Sequence, residues 1–122
     1  MIYLASAYTH ESNTVQEERF LAVCKVAAIL ISRGEMIFSP IAHSHPISHF
    51  GLPGTWEFWE RYDREMISRC DEMYVLDIPG SRESTGVKAE IAIAHLQFKH
   101  VSVVDEKGVV RRGGLCEFMR GK

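Results

Sequence analysis

The stretch MYVLDIPGSRESTGVKAEIAIAHLQFKHVSVV, residues 73–104, decides the fold. Met73 to Ile78 is a short apolar run closed by Pro79-Gly80, which is typical of a buried strand. Ser84 then supplies a hydroxyl N-cap for a helix that runs to about Phe98. A second apolar run, Val101 to Val104, follows that helix. Strand, helix and strand in this order predict two parallel strands joined by a helical crossover.

Outward from this unit, the chain repeats the same alternation of apolar runs and helical patterns. Further strands are predicted at Ile2 to Ala5, Met36 to Phe38 and, as a short fifth, Gly108 to Val110. One helix is predicted from Thr14, which forms a capping box with Glu17, to about Arg33. Another is predicted from Thr55 through Arg69. Strands alternating with helices indicate a parallel sheet covered by helices on both faces.

Two segments between these elements have an unusual composition. Phe20 to Ile31 is almost wholly apolar, so the first helix is expected to be heavily buried. Ile41 to Gly54 is rich in His, Pro and Gly and is interpreted as a long loop. Because long loops in small domains are often functional, we expect this one to cover a binding site.

The size and composition are those of one globular domain over residues 1–122. The chain has 122 residues, of which 46% are apolar and 25% charged, with a net charge of −2. This charge gives no basic field for nucleic acid or a membrane surface, so a small-molecule partner is expected. A core of this size is modest, and shared burial predicts a homodimer or larger homo-oligomer.

The cysteines and the chain start indicate the compartment. Cys24, Cys70 and Cys116 are an odd number of widely spaced cysteines, which is typical of free thiols in a reducing environment. The start lacks a basic signal-peptide region, and no run of about 18 apolar residues is present. A cytoplasmic protein is therefore expected.

Ligands of parallel α/β sheets bind beyond the carboxyl ends of the strands. Four segments fall there: Ser6 to Asn13, Ser39 to Gly54, Asp77 to Ser84 and the loop near Asp105. Most residues with chemical potential lie in or near these segments.

Glu90 is the first candidate. It lies at the edge of the apolar face of its helix, and its neighbours at three and four positions, which include Gly86 and Ile93, carry no charge. A carboxylate on a partly apolar edge costs free energy unless something compensates. The alternative is that Glu90 reaches solvent or caps a loop.

Two aspartates could accompany it. Asp63 has no cationic helical neighbour, and Asp77 is placed at the carboxyl end of a strand. Paired carboxyl groups suit the cleavage of a glycosidic bond, since one attacks or stabilises the anomeric carbon and the other protonates the leaving group.

Ser84 and Gly86 open the same helix as Glu90. A helix N-terminus attracts anions such as a 5′-phosphate, and glycine permits close approach; simple capping by Ser84 is the alternative. In the long loop, His43 and His45 are candidates for contact with a phosphate or base rather than for a metal, because their spacing does not ensure convergence. One aromatic of the next helix could stack on a base, and Trp59 is the candidate.

Together these segments resemble the nucleoside 2-deoxyribosyltransferase family, and most closely its branch of 2′-deoxynucleoside 5′-phosphate N-hydrolases. The resemblance runs from Ile2 to about Val104 and is strongest over Ser84-Thr85-Gly86-Val87-Lys88-Ala89-Glu90. Uncharacterised bacterial and phage relatives are also similar, through the stretch from Phe38 to Pro46. The resemblance implies a flavodoxin-like three-layer α/β/α sandwich with a four- or five-stranded parallel sheet.

The resemblance also implies roles for individual residues. Glu90 corresponds to the nucleophile, and Ser84 to a serine that contacts a 5′-phosphate. Asp63 corresponds to an aspartate that positions the sugar or protonates the base. Ser6 and Tyr8 fall in the substrate loop after the first strand. That loop lacks the glycines and the arginine of the phosphate-using branch, so the substrate is a nucleotide held in another way or an unphosphorylated nucleoside.

The expected reaction is cleavage or transfer of an N-glycosidic bond by double displacement, with Asp63 or Asp77 protonating the departing base. No metal or organic cofactor is expected. Two alternatives stay open. One is an NAD glycohydrolase, because nicotinamide is also a ribosyl leaving group. The other is a non-catalytic nucleotide-binding domain, because a fold does not fix a function.

Overall fold

The computed structural model describes residues 1–120 and confirms the alternation of strands and helices. Within this range the elements are β1 (Ile2–Ala5), α1 (Asn13–Ser32), β2 (Ile37–Phe38), α2 (Pro40–Ser48), α3 (Trp56–Arg69), β3 (Glu72–Leu76), α4 (Thr85–Leu96), β4 (His100–Val104), β5 (Val110–Arg111) and α5 (Leu115–Met119). The β3–α4–β4 unit is therefore the predicted crossover.

The strands form one sheet in the order β2-β1-β3-β4-β5. The first four are parallel, and the central register pairs Tyr3 with Met73 and Met73 with Val101. β5 is antiparallel to β4, with Val110 opposite Val104. The expected parallel sheet of four or five strands is confirmed for the first four strands. The fifth strand is antiparallel because the link from β4 to β5 is too short for a helical crossover.

Helices cover both faces of the sheet, which gives the expected flavodoxin-like sandwich. On one face, α1 packs through Val23, Val26 and Leu30 against Leu4 and Leu76. The other face has side chains from β1, β3, α3, α4 and α5 in a second core cluster, among them Tyr3, Val75, Ile67, Val87, Ile91 and Phe118. Successive residues of β1 thus alternate between the two cores, with Tyr3 on the side of α4 and Leu4 on the side of α1.

The first helix differs from expectation at its start and in its burial. Ser12 is the N-cap, and its hydroxyl accepts from the Val15 N–H at 3.3 Å, so the helix begins before Thr14. Only one face is buried, since Leu21 is 46% exposed and Ile31 is 53% exposed. An apolar stretch therefore does not imply burial all round when the helix lies on a two-sided sheet.

The predicted loop from Ile41 to Gly54 was wrong in its first part, because α2 occupies Pro40–Ser48. Ser39 caps this helix by accepting from the Ala42 N–H at 3.1 Å, and Pro40 takes the first helical position, where its missing N–H costs nothing. Pro46 lies inside the helix. Its presence made the segment look like a loop.

The described part of the chain has no helix that is both long and apolar enough to cross a membrane. All three cysteines are free, and Cys70 is buried. The prediction of free thiols is confirmed.

Candidate active site

A pocket of about 320 Å³ opens where the carboxyl ends of β1 and β3 approach α2, α3 and α4. Its lining residues come from four segments: the stretch after β1 (Ser6, Tyr8, Thr9), α2 (Ile41, Ser44), α3 and the turn before it (Gly54, Thr55, Trp56, Glu57, Trp59, Asp63), and α4 with the residue before its cap (Glu83, Ser84, Thr85, Gly86, Glu90). Three of the four segments to which the strand-end rule pointed contribute to this wall. The fourth, the loop near Asp105, does not line the pocket, and α3 contributes although the rule did not point to it.

Glu90 lies at the base of this pocket and is only 4% exposed. It sits between the core residues Val87 and Ile91 on α4, and the Ser84 cap fixes where that helix begins. Its carboxylate accepts a hydrogen bond from the buried hydroxyl of Tyr3 in β1. The alternative that Glu90 reaches solvent is therefore wrong.

Asp63 is the second buried carboxyl group of the pocket, with 7% exposure. It precedes the core residue Ile67 by one helical turn on α3, which places both side chains on the inner face of the helix. Within residues 1–120 it has no hydrogen-bond or ion-pair partner, and its burial disfavours the charged form. Its polar atoms are thus available to a ligand in the pocket.

Both carboxyl groups hold their protons unusually strongly. Burial raises the pKa of Asp63 to about 7. Burial, and then the charge of Asp63, raises the pKa of Glu90 to about 8, while the hydrogen bond from Tyr3 opposes this rise. Two neighbouring acids of this kind lose their protons in two coupled steps. Near neutral pH the pair therefore passes through a form with one proton and one negative charge.

The N-terminus of α4 forms another part of the wall. Ser84 caps it by accepting from the Val87 N–H at 3.2 Å. Gly86 follows, and a Cβ placed there would meet Ser84 Oγ at 3.8 Å and Trp56 Cε3 at 3.9 Å. The absence of a side chain at Gly86 keeps this end of the helix open toward the pocket.

Two tryptophans of α3 line the pocket. Trp59, the aromatic chosen from the sequence, donates its indole N–H to the Pro53 carbonyl oxygen at 2.8 Å. Trp56, which was not chosen, also lines the pocket and packs against the core. An aromatic at each of these positions gives the pocket two large apolar surfaces.

Ser6 and Tyr8 line the pocket from the end of β1. The Tyr8 hydroxyl lies 2.6 Å from His45 Nδ1, and His45 Nε2 lies 3.0 Å from a Glu17 carboxylate oxygen. With Nε2–H donating to Glu17, Nδ1 accepts the Tyr8 proton. His45 is only 4% exposed and stacks on Phe20, so this chain of hydrogen bonds fixes the position of Tyr8.

The expectation that His43 or His45 faces the ligand is corrected by the structure, because neither imidazole is among the lining residues. His45 is held behind Tyr8. His43 lies against α3, where its Nε2 is 3.0 Å from the Tyr62 hydroxyl and the two rings stack. The segment instead contributes Ile41, Ser44 and Gly54 to the wall.

Asp77 is also outside the lining of the pocket. It lies at the predicted end of β3, but its carboxylate is 3.6 Å from Arg111 and 4.0 Å from Arg82. These guanidinium groups, from the β5 end of the sheet and from the loop before α4, hold Asp77 in an ion-pair cluster. Asp63 is therefore the acid that the structure places near Glu90.

A family model described as a domain of unknown function, DUF1937, matches residues 1–106. The chain belongs to the DUF1937 family. All of the residues that line the pocket fall inside the match. No curated protein matches the chain.

The most informative residue that sequence reasoning missed in this DUF1937 chain is Tyr3. A tyrosine in a strand covered on both faces needs a partner for its hydroxyl. Glu90, on the helix that packs against that strand, equally lacked a partner. The sequence shows that Tyr3 and Glu90 each need a hydrogen-bond partner, but only the arrangement of strands and helices shows that they are partners of each other.

The charge of the pocket was missed as well. Its lining includes four acidic residues, Glu57, Asp63, Glu83 and Glu90, and no lysine, arginine or histidine from the described part of the chain. Residues 1–120 contain no group of three metal-binding side chains arranged to hold an ion. The pocket wall thus supplies negative charge, hydroxyl groups and aromatic rings.

Proposed function

We propose that this protein cleaves the N-glycosidic bond of a nucleoside or nucleotide, with Glu90 as the nucleophile. Asp63 acts first as the general acid and then as the general base. The observation that carries the proposal is the buried pair itself: two carboxyl groups with raised pKa values lie in one pocket, and one of them has no partner. Such groups are expensive to bury, and carboxyl pairs with displaced pKa values are typical of glycosidases.

The reaction uses the singly protonated pair with the charge on Glu90 and the proton on Asp63. Because the pKa of Asp63 is about 7 and that of Glu90 about 8, this is the minor of the two one-proton arrangements in the free pocket, and the hydrogen bond from Tyr3 favours it. The Glu90 carboxylate attacks C1′, and the bond from C1′ to the base nitrogen breaks with its electron pair going to the base. Asp63 gives its proton to that nitrogen. The sugar is then held as an ester of Glu90, and the transition state on either side resembles an oxocarbenium ion.

Water completes the cycle. Asp63, now a carboxylate, takes a proton from a water molecule as its oxygen attacks C1′, and Glu90 leaves as a carboxylate. A second base attacking in place of water would give transfer instead of hydrolysis. Tyr3 donates to Glu90 throughout, which favours the charged form of the nucleophile and opposes the effect of burial.

The remaining wall supports a nucleoside as the ligand. Trp56 and Trp59 offer aromatic surfaces for a base, and Ser6, Tyr8 and Ser84 offer hydroxyl groups for a sugar. Gly86 leaves room beside the α4 N-terminus. We also propose that the chain forms a homodimer, since Leu96 and Phe98 at the end of α4 are 76% and 96% exposed.

A screen for base release tests the proposal. Purified protein is incubated with nucleosides, nucleoside 5′-monophosphates and NAD, and the free base is measured by chromatography. The proposal expects release from at least one nucleoside or monophosphate, and none from the Glu90→Gln variant. Release from NAD alone would indicate the glycohydrolase alternative. Binding without product in every case would indicate a non-catalytic domain and overturn the proposal.

A further inference from the structure

Among residues 1–120, the charged side chains of the pocket wall are all acidic, and cleavage of an N-glycosidic bond does not by itself require this. Glu57 and Glu83 lie at the pocket and are exposed, and neither takes part in an ion pair within residues 1–120. No cationic side chain of the described residues shares the wall with them. An anionic ligand would meet uncompensated repulsion here.

The interior of the pocket extends the same pattern. Asp63 is more than nine-tenths buried, lines the pocket and has no partner in the described chain. A buried carboxyl group without a hydrogen bond is costly, and a ligand that supplies positive charge would offset that cost. The carboxyl groups thus run from the mouth of the pocket to its base.

Three cations near the pocket are engaged elsewhere. Arg19 Nη1 donates to the Thr9 carbonyl oxygen at 2.9 Å, which ties α1 to the segment after β1. Arg82 and Arg111 flank Asp77, outside the pocket lining. None of these three cations lines the acidic wall.

The aromatic rings of the wall also suit a cation. Trp56 and Trp59 both line the pocket, and indole has the strongest affinity for cations among aromatic side chains. Trp59 is held in place through its bond to Pro53. A flat, positively charged ring would gain both from stacking on an indole and from the carboxylates.

We propose that the preferred substrate is a nucleoside whose base carries a positive charge, as in a pyridinium or N-alkylated purine riboside. This inference rests on the proposed function for its account of turnover. The base of such a substrate departs uncharged, with the electron pair of the broken bond neutralising it, so no proton is consumed in that step. The positive charge passes to the sugar, which stays between the same carboxyl groups.

The test compares two ligands that differ in charge but hardly in shape. Nicotinamide riboside is a cation, and its dihydro form is neutral. Binding to the Glu90→Gln variant is measured by calorimetry, so turnover does not interfere. The cation is expected to bind at least roughly tenfold more tightly at low salt, with the difference shrinking as salt screens the exposed carboxylates.

Two double variants test whether Glu57 and Glu83 cause the preference for the cationic ligand. Glu57→Gln with Glu83→Gln should reduce the preference for the cation to about threefold or less. Glu11→Gln with Glu117→Gln removes the same net charge from exposed positions outside the lining, and should leave the preference unchanged. Equal affinities for the two ligands, or an equal effect of both double variants, would overturn the inference.

The outcomes separate this inference from the proposed function. Release of base by the wild type without any preference for the cation would refute the charge inference alone. Preference for the cation without release of base from any riboside would refute the proposed reaction and leave the charge preference standing.

Discussion

The sheet contains two hydrogen-bonded pairs of tyrosine and glutamate, and they lie on opposite faces. Tyr3 of β1 donates to Glu90 on the pocket side. Tyr74 of β3 donates to Glu35, which follows α1, at 2.7 Å on the other side. Both tyrosines are at most 2% exposed. The two pairs have the same chemistry in different surroundings.

The surroundings decide what each pair can do. Glu35 is half-buried, and water shares in the solvation of its carboxylate. Burial, and then the hydrogen bond to Glu35 and its charge, raise the pKa of Tyr74 to about 12, so that pair is a stable donor and acceptor. Glu90 is buried in the pocket wall beside a second acid, and its own pKa is raised. A tyrosine partner alone does not make a reactive carboxyl group, whereas burial with a like charge does.

The largest expected effect comes from Glu90→Gln. Glutamine keeps the shape and can still accept from Tyr3, but it cannot attack C1′, so kcat should fall by roughly a thousandfold or more. Activity is measured by base release on the best substrate of the screen. Glu35→Gln, the matched change in the other pair, should leave kcat within about twofold, since a hydrogen bond far from the pocket does not enter the barrier.

Glu90→Gln should also change the thermal stability of the protein. Because the pKa of Glu90 is raised from 4.5 to about 8, the folded wild type keeps a proton that the unfolded chain releases between these pH values. Wild-type stability therefore falls as the pH rises through this window, and the Gln variant escapes that fall. The Tm of Glu90→Gln should exceed that of the wild type only slightly at pH 5 and by the largest amount near pH 8.

Retention of more than about a tenth of the wild-type kcat by Glu90→Gln would exclude Glu90 as the nucleophile.

Asp63→Asn should give the next largest loss. Removing the acid is expected to lower kcat by about a hundredfold for a neutral base, which needs a proton to leave. The loss should be much smaller for a p-nitrophenyl 2-deoxyriboside, whose leaving group needs no proton. Asparagine also removes the charge that raises the Glu90 pKa, so the acidic limb of the pH–rate profile should move to lower pH. Equal losses on both substrates would argue against an acid role.

Tyr3→Phe should act more weakly, through Glu90. The Tyr3 hydrogen bond lowers the Glu90 pKa, so its removal should move the acidic limb of the profile to higher pH and reduce kcat near neutral pH by about tenfold. KM should change little. Tyr74→Phe tests whether the effect is only structural, and an identical shift in its profile would show that it is.

The smallest effect on activity is expected for His45→Phe. Phenylalanine keeps an aromatic ring against Phe20, but it leaves the Tyr8 hydroxyl without its partner and should destabilise the fold by about 1–3 kcal/mol. This change in the free energy of unfolding is opposite in sign to the one expected for Glu90→Gln. The reason is that the His45 imidazole has a matching partner at each nitrogen, the Tyr8 hydroxyl as donor and the Glu17 carboxylate as acceptor. Chemical denaturation measures the difference. A higher free energy of unfolding for His45→Phe would show that burial of the His45 side chain is as unfavourable as that of Glu90, and would contradict this prediction.

The fold could be predicted from the sequence because local signals agreed with the tertiary structure. Ser84 caps α4, Pro79-Gly80 ends β3, and apolar runs mark β1, β3 and β4. The α2 helix was missed because Pro46 and the surrounding histidines resemble a loop, although Ser39-Pro40 is a typical helix start. Local chemistry at its first turn outweighed the proline.

The site was predictable only in part. Glu90 and Asp63 lacked partners on their own helices, and both lie buried in the wall of one pocket. Asp77, at the end of a strand, gave the same kind of signal, but Arg111 is a partner from a distant part of the chain. Tyr3 was missed for the converse reason, since its contact with Glu90 joins residues far apart in sequence. Long-range partners decide which buried acids are free to act.

The two edges of the sheet have a consequence for how copies of this chain can meet. The outermost strands, β2 and β5, have only two residues each. Such short strands offer few free backbone donors and acceptors as a template for another chain, and short edges are a common protection against cross-β growth. A homodimer of this protein would therefore form through helix surfaces rather than by extending the sheet, and its formation should leave the amide hydrogen exchange of β2 and β5 unchanged.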